Sequence, residues 1–187
     1  LPGAPHLYHF GNMRVLPAEI EGIRVLHGVE ANVMDREGKL DVPEFYLARL
    51  DIVLAGLHTL CSPYGSVEEN TRMLIKAIEH PWVDVIVHPG NPEYEVDLDA
   101  VVKAAAATGT ALEINNSSLT VSRKGSESNC HRVAEIALRY GAQLMIGTDS
   151  HYHEHVGNFA SALALIADAG VTEDLVINTS MAKVEAY

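Results

Sequence analysis

Val83-Asp-Val-Ile-Val-His88-Pro-Gly-Asn-Pro92 carries two messages in one short stretch. Its first half is a near-continuous apolar run, the pattern of a strand buried on both faces of a parallel sheet. Its second half is a rigid turn that fixes His88 at the mouth of that strand. Other apolar runs end in the same way. The run 23–29 stops at Glu30, the run 51–57 stops at His58, and 143–147 runs into Asp149 and His151. In a (β/α) barrel all parallel strands deliver their ends to one face, where reactive residues collect. That geometry brings Glu30, His58, His88, Asp149 and His151 together although they are far apart in sequence.

Outward from this stretch, strands and helices alternate. Residues 1–18 read as loop, with Pro2, Gly3, Pro5, Gly11 and Pro17 as breakers. A strand is expected over 23–32, a polar turn at 35–38, a short helical piece at 43–49 and a strand at 51–57. Residues 66–79 read as a helix, with apolar Met73, Ile75 and Ile78 among polar residues and Pro81 beyond its end. After the strand at 83–88 come an alanine-rich helix at 98–108 stopped by Gly109, and a strand at 111–115. A helix at 128–140, a strand at 143–147, a helix at 156–169 and a last short strand at 175–178 complete the pattern. Alternation of this kind predicts βαβ units, a parallel sheet and a single domain over 1–187.

Composition narrows the function. The chain has 187 residues, is 48% hydrophobic, and has a formal net charge of −12 from 13 Lys and Arg against 25 Asp and Glu. It is long enough to bury a sizeable core. Its acidity argues against nonspecific nucleic-acid binding and against an acidic membrane surface as partner. An anionic small substrate remains compatible when bound cations reverse the local field. Cys61 and Cys130 are too few for a disulfide framework and are expected to be reduced thiols in a cytoplasmic protein. No apolar stretch approaches the roughly 18 residues of a spanning helix.

Taken singly, each candidate has an ordinary explanation: Glu30 as a cap or ion-pair partner, His58 and His88 as core histidines, Asp149 as a helix cap. Jointly, carboxylate and imidazole at successive strand ends suit zinc, manganese or iron, with magnesium also possible. Asp149 and His151 lie two apart, so both can point the same way from an extended segment. His27 is expected to pack inside a strand, and His80 and His131 to lie at the surface. His153 and His155 read as residues of a solvated loop. His6 and His9 flank an aromatic and are weak candidates for substrate contact. No base is arranged to activate Cys61 as a nucleophile. Glu113-Ile-Asn-Asn-Ser-Ser118 leaves a strand with a cluster of hydrogen-bonding side chains, and Ser122-Arg-Lys-Gly-Ser126 follows. There Arg123 and Lys124 are candidates for holding phosphate, or else form a solvated basic turn.

Gly28-Val-Glu-Ala-Asn32, Ala55-Gly-Leu-His58, His88-Pro-Gly-Asn-Pro92, Leu112-Glu-Ile-Asn-Asn-Ser117, Ser122-Arg-Lys-Gly-Ser-Glu127 and Gly147-Thr-Asp-Ser-His151 resemble the PHP (polymerase and histidinol phosphatase) family. Within it they are most similar to the stand-alone bacterial phosphatases of the trinuclear-zinc type. The resemblance runs from about residue 12 to residue 180, with the motifs in the family's order. It implies a distorted (β/α)7 TIM-like barrel and a site for up to three metals. It also implies that Glu30 bridges two metals, that His58 and His88 complete one of that pair, that Asp149 serves the other, and that His151 belongs to the third. The family's opening His-x-His motif, a further histidine soon after it, and the histidine ending its second strand have no counterpart here. The expectation is a barrel lacking its first two strands, completed by a missing segment or another chain. The strand at 23–29 would then expose an edge through which an oligomer could form.

The implied activity is hydrolysis of a small phosphate ester by a metal-activated hydroxide, with two metals clamping the attacking and leaving oxygens. Glu30 and Asp149 would act at the reacting centre, with Arg123 and Lys124 stabilising charge. One rival is a metal hydrolase of amides or cyclic imides on the same barrel logic. Such enzymes often carry a carboxylated lysine at a strand end, and no strand here ends in lysine. A second rival is an inactive, accessory PHP-like binding module.

Overall fold

Glu21 and Gly22 both adopt left-handed φ, 51° and 83°. This two-residue turn folds Glu19–Ile20 (β1) against Ile23–Arg24 (β2) as a small antiparallel hairpin. Positive φ at both central positions is what a tight primed turn requires. The single strand expected over 23–32 is therefore two elements, and the main sheet begins only at Gly28–Asn32 (β3). The structure, a computed structural model, describes residues 7–187. Tyr8–Val15, expected as loop, is a 3-10 helix; His6 lies outside the described residues.

From β3 onward strands and helices alternate, as the sequence pattern predicts. Glu44–Leu47 (α1) leads to Ile52–Gly56 (β4), Val67–Ile78 (α2), Val85–Ile86 (β5), Leu98–Thr108 (α3) and Ala111–Asn115 (β6). Glu127–Tyr140 (α4), Leu144–Gly147 (β7), Ala160–Asp168 (α5) and Met181–Ala186 (α6) follow. The sheet has the order β3-β4-β5-β6-β7, and every neighbouring pair is parallel. Each strand thus lies beside its successor in the chain, with at least one helix in every crossover. The result is an α/β fold built on a five-stranded parallel sheet, with β3 and β7 at its edges. Among the described residues, no helix is long and apolar enough to cross a membrane.

Local chemistry explains where elements start and stop. Ser66 caps α2 by accepting the Glu69 N–H, while the Glu69 carboxylate accepts the Ser66 N–H at 2.9 Å. This reciprocal box satisfies two N–H groups that the first turn would otherwise leave bare. Ladder pairing in β5 is confined to Val85–Ile86, shorter than the apolar run 83–88, because the chain turns sharply at His88, where φ is 34°. The helix expected from residue 156 begins at Ala160, after a 3-10 turn at His153–His155 and a left-handed Gly157.

The strand expected at 175–178 is not formed. Glu173–Leu175 and Ile177–Thr179 are 3-10 turns, and Val176 makes one isolated parallel bridge to Leu144. The Asn178 amide takes the place of a strand there. Its oxygen accepts the Ile146 N–H at 3.0 Å and its nitrogen donates to the Ile146 carbonyl at 2.8 Å. A side chain thereby satisfies edge groups of β7 that a further strand would have paired.

Alternate residues divide the core in two. Val53, Ala55, Ile86, Leu112, Ile114, Leu144 and Ile146 pack with Met73, Leu74, Val101, Val133 and Leu165 of the helices in the larger cluster. Val85, Ala111 and Ile177 form a second cluster, with Ile52, Leu54 and Met145 against it. Glu30 is in register with Leu54, and Glu113 with Met145. By strand parity, both carboxylates stand on the face of the smaller cluster.

Candidate metal centre

Three neighbouring strands build one ligand cluster. Glu30 lies inside β3. His58 stands two residues beyond β4 and His88 two residues beyond β5. Glu30 Oε1 is 2.7 Å from His58 Nε2 and 3.2 Å from His88 Nε2, and the two imidazole nitrogens are 3.1 Å apart. Among the described residues these three form the one group of His, Cys, Asp or Glu whose ligand atoms all lie within 4.8 Å of one another. Gly56 makes the approach possible. A Cβ there would lie 2.5 Å from Val87 Cγ2, 3.2 Å from His88 Cε1 and 3.4 Å from His58 Cε1.

The electrostatics favour ligation. Burial pushes the His88 ring below its ordinary pKa, only partly opposed by Glu30, which keeps the ring neutral with a lone pair to offer. Burial would raise the Glu30 carboxyl, but hydrogen bonds from His58 and His88 outweigh it and hold the group well below the usual carboxylate range. Tetrahedral ligand atoms at about 2.0–2.1 Å from a zinc ion lie roughly 3.3 Å from one another. The observed separations of 2.7, 3.1 and 3.2 Å are close to that spacing, so the donor set fits a divalent ion.

Asp149 and His151 follow β7 but are not members of this group. The Asp149 carboxylate pairs with Arg123 Nη1 at 2.9 Å, both side chains being largely buried. Arg123 also donates to Ser118 Oγ and Ser122 Oγ. It is therefore a guanidinium already engaged through Nη1. Lys124 is exposed beside it. His151 is 89% exposed, with Nδ1 donating to the Asp149 carbonyl at 3.0 Å, which leaves Nε2 facing away from that bond. His88, Arg123 and Asp149 are three of the five non-glycine residues with left-handed φ among the described residues. Such conformations persist where surrounding contacts over-determine them, and they collect at functional sites.

Glu113 was legible only as part of a polar segment, not as a site residue. It is 4% exposed, and its Oε2 accepts the His88 backbone N–H at 2.9 Å and Asn115 Nδ2 at 3.1 Å. Burial pushes its carboxyl up to about 7, against those hydrogen bonds. The signal in the sequence is a lone acid in the middle of the apolar strand 111–115.

The remaining histidines take quieter places. The His27 backbone N–H is held by Asp51, His131 sits between Glu135 and Asp168, and His9 lies tilted against Phe10. A cleft of about 360 Å³ beside Asp149 is lined by Asn116, Ser117, Thr120, His151 and Tyr152 among others. A larger one, about 520 Å³, lies at the opposite ends of the strands near Ile52 and Asp84, away from the ligand cluster.

Known proteins give the class. A "probable phosphatase" of Thermoanaerobacter sp. (strain X514) is 50% identical over 188 residues, covering 100% of this chain and 77% of its own length. A "probable phosphatase" of Caldanaerobacter subterraneus subsp. tengcongensis is 49% identical over 188 residues, covering 100% of this chain and 74% of its own. One from Shewanella sp. (strain ANA-3) is 48% identical over 177 residues, covering 95% of this chain and 70% of its own. The chain belongs to this family of probable phosphatases. No family model matches it.

Proposed function

We propose that this protein is a metal-dependent phosphoesterase of the PHP type, acting on a small phosphorylated substrate in the cytoplasm. The carrying observation is the convergence of Glu30, His58 and His88 from three parallel strands onto one point. Similarity to probable phosphatases over the whole of this chain supports the reaction class. A consecutive run of parallel strands, β3 to β7, supports the distorted seven-stranded barrel as the complete architecture.

In this reading Glu30, His58 and His88 hold a divalent ion, zinc foremost, with manganese, iron or magnesium as substitutes. Such an ion lowers the pKa of water toward neutrality and offsets charge on a phosphoryl group. Asp149 and His151 extend the ligand set from the end of β7. Arg123 orients Asp149 and adds positive charge beside the phosphate, and Lys124 attracts the anion from solvent. The organic part of the substrate occupies the cleft beside Asp149.

Hydrolysis of p-nitrophenyl phosphate and of an amide panel, each with zinc, manganese or a chelator, tests this. Phosphate release that needs the metal is the expected result. Amide cleavage would replace the reading with an amidohydrolase. Tight zinc binding with no hydrolysis would replace it with an accessory binding module.

A further inference from the structure

The geometry points to Glu113 as the positioning residue of this centre: its carboxylate fixes His88 through the backbone and ties the Glu30–His58–His88 cluster to Asp149. This inference rests on the proposed metal-binding role of those residues.

Four observations carry it. First, His88 follows the last paired residues of β5 with φ at 34°, a conformation that a β-carbon disfavours and that needs outside support. The His88 N–H is held by Glu113 Oε2 at 2.9 Å instead of by a neighbouring strand. Second, Glu113 is a buried carboxylate with no ion-pair partner among the described residues. Isolation of that kind is costly, so a residue there is expected to serve a purpose.

Third, the fold makes room for it. A Cβ on Gly147 would lie 1.9 Å from Glu113 Oε1, so the bare backbone of β7 admits the carboxylate. Fourth, the hydrogen bonds continue. Asn115 donates to Glu113, and its Oδ1 accepts the Ser118 N–H at 2.9 Å and the Ser118 hydroxyl at 3.2 Å. Arg123 Nη1 donates to Ser118 Oγ at 3.3 Å and to Asp149 at 2.9 Å. One polar chain therefore runs from the His88 backbone to Asp149.

Two variants separate positioning from packing. Glu113→Ala removes the acceptor. Glu113→Gln keeps an oxygen for the His88 and Asn115 donors while losing the charge. Zinc affinity by calorimetry on the whole chain is expected to fall about 10–100-fold in Glu113→Ala, the usual loss when a group orienting a ligand is removed. Glu113→Gln is expected to restore it to within about threefold of the parent. Unchanged affinity in a folded Glu113→Ala variant would overturn the inference, as would a Gln variant as weak as the Ala variant. Should Glu113→Ala fail to fold, Gly147→Ala, which displaces the same carboxylate, takes its place with the same expectations.

If the parent chain binds no ion, the metal reading fails by itself, and the positioning claim is read from NMR of the metal-free protein. The His88 amide proton should then move upfield and lose exchange protection in Glu113→Ala but not in Glu113→Gln. An unmoved His88 amide in Glu113→Ala would refute it.

Discussion

Glu30 concentrates the chemistry of the site in one carboxylate oxygen, which faces two imidazole nitrogens at 2.7 and 3.2 Å. Glu30→Gln should weaken zinc binding by more than the roughly 10–100-fold that follows loss of a residue merely orienting a ligand. Isothermal titration checks it, and an unchanged affinity contradicts the assignment. Arg123→Ala strands a largely buried Asp149 carboxylate and should lower stability by about 1.5–3 kcal/mol in urea denaturation. Glu30, His58 and His88 were readable because each stands at or near the end of an apolar run, where strand periodicity predicts its neighbours in space. Glu113 was not, because its bond goes to the backbone of a residue on another strand, and no side-chain pattern encodes that. Arg123 stood out as a cation, but its pairing with Asp149 was not legible, because it depends on the turn after β6, where φ at Arg123 is 44°.

At the scale of elements, helices were legible where caps and periodicity agreed. The α2 helix is the plainest case, and Ser66→Ala should cost about 0.5–2 kcal/mol in thermal or urea melts by removing its cap. Strand ends were legible less well. The β1–β2 hairpin depends on left-handed φ at Glu21, a residue with no turn preference to announce it, and Asn178 replaces a strand with a side chain.

Asp84, just before β5, gives a pH test. Burial raises its pKa, against the hydrogen bond from the Val53 N–H at 2.7 Å. A carboxyl whose folded pKa is raised favours the folded state when protonated. Stability is therefore lost as pH rises from the ordinary value of 3.8 through the folded pKa, and the penalty persists above it. Asp84→Asn, which keeps an acceptor for Val53, should match the parent near pH 3 and exceed it in stability at pH 7. Equal stability of the two proteins at pH 7 contradicts this.

Over the whole molecule, a chain with a formal net charge of −12 gathers two imidazoles and a carboxylate at one end of a parallel sheet. The parallel α/β plan was legible because each fully buried strand reads as an apolar run and each helix as a periodic one. The five-stranded order with β3 and β7 as edges was not, since strand periodicity says nothing of which edges meet. Binding of an ion to the folded state alone should raise stability by about 2.7 kcal/mol at 100 times its dissociation constant. For a chain of this size that is roughly 5–10 °C in melting temperature.

Diffraction from zinc-loaded crystals, collected on both sides of the zinc absorption edge, tests the centre directly. An anomalous peak within about 2.0–2.2 Å of Glu30 Oε1, His58 Nε2 and His88 Nε2 is the predicted result. A zinc-loaded crystal with no peak between those three atoms contradicts the account.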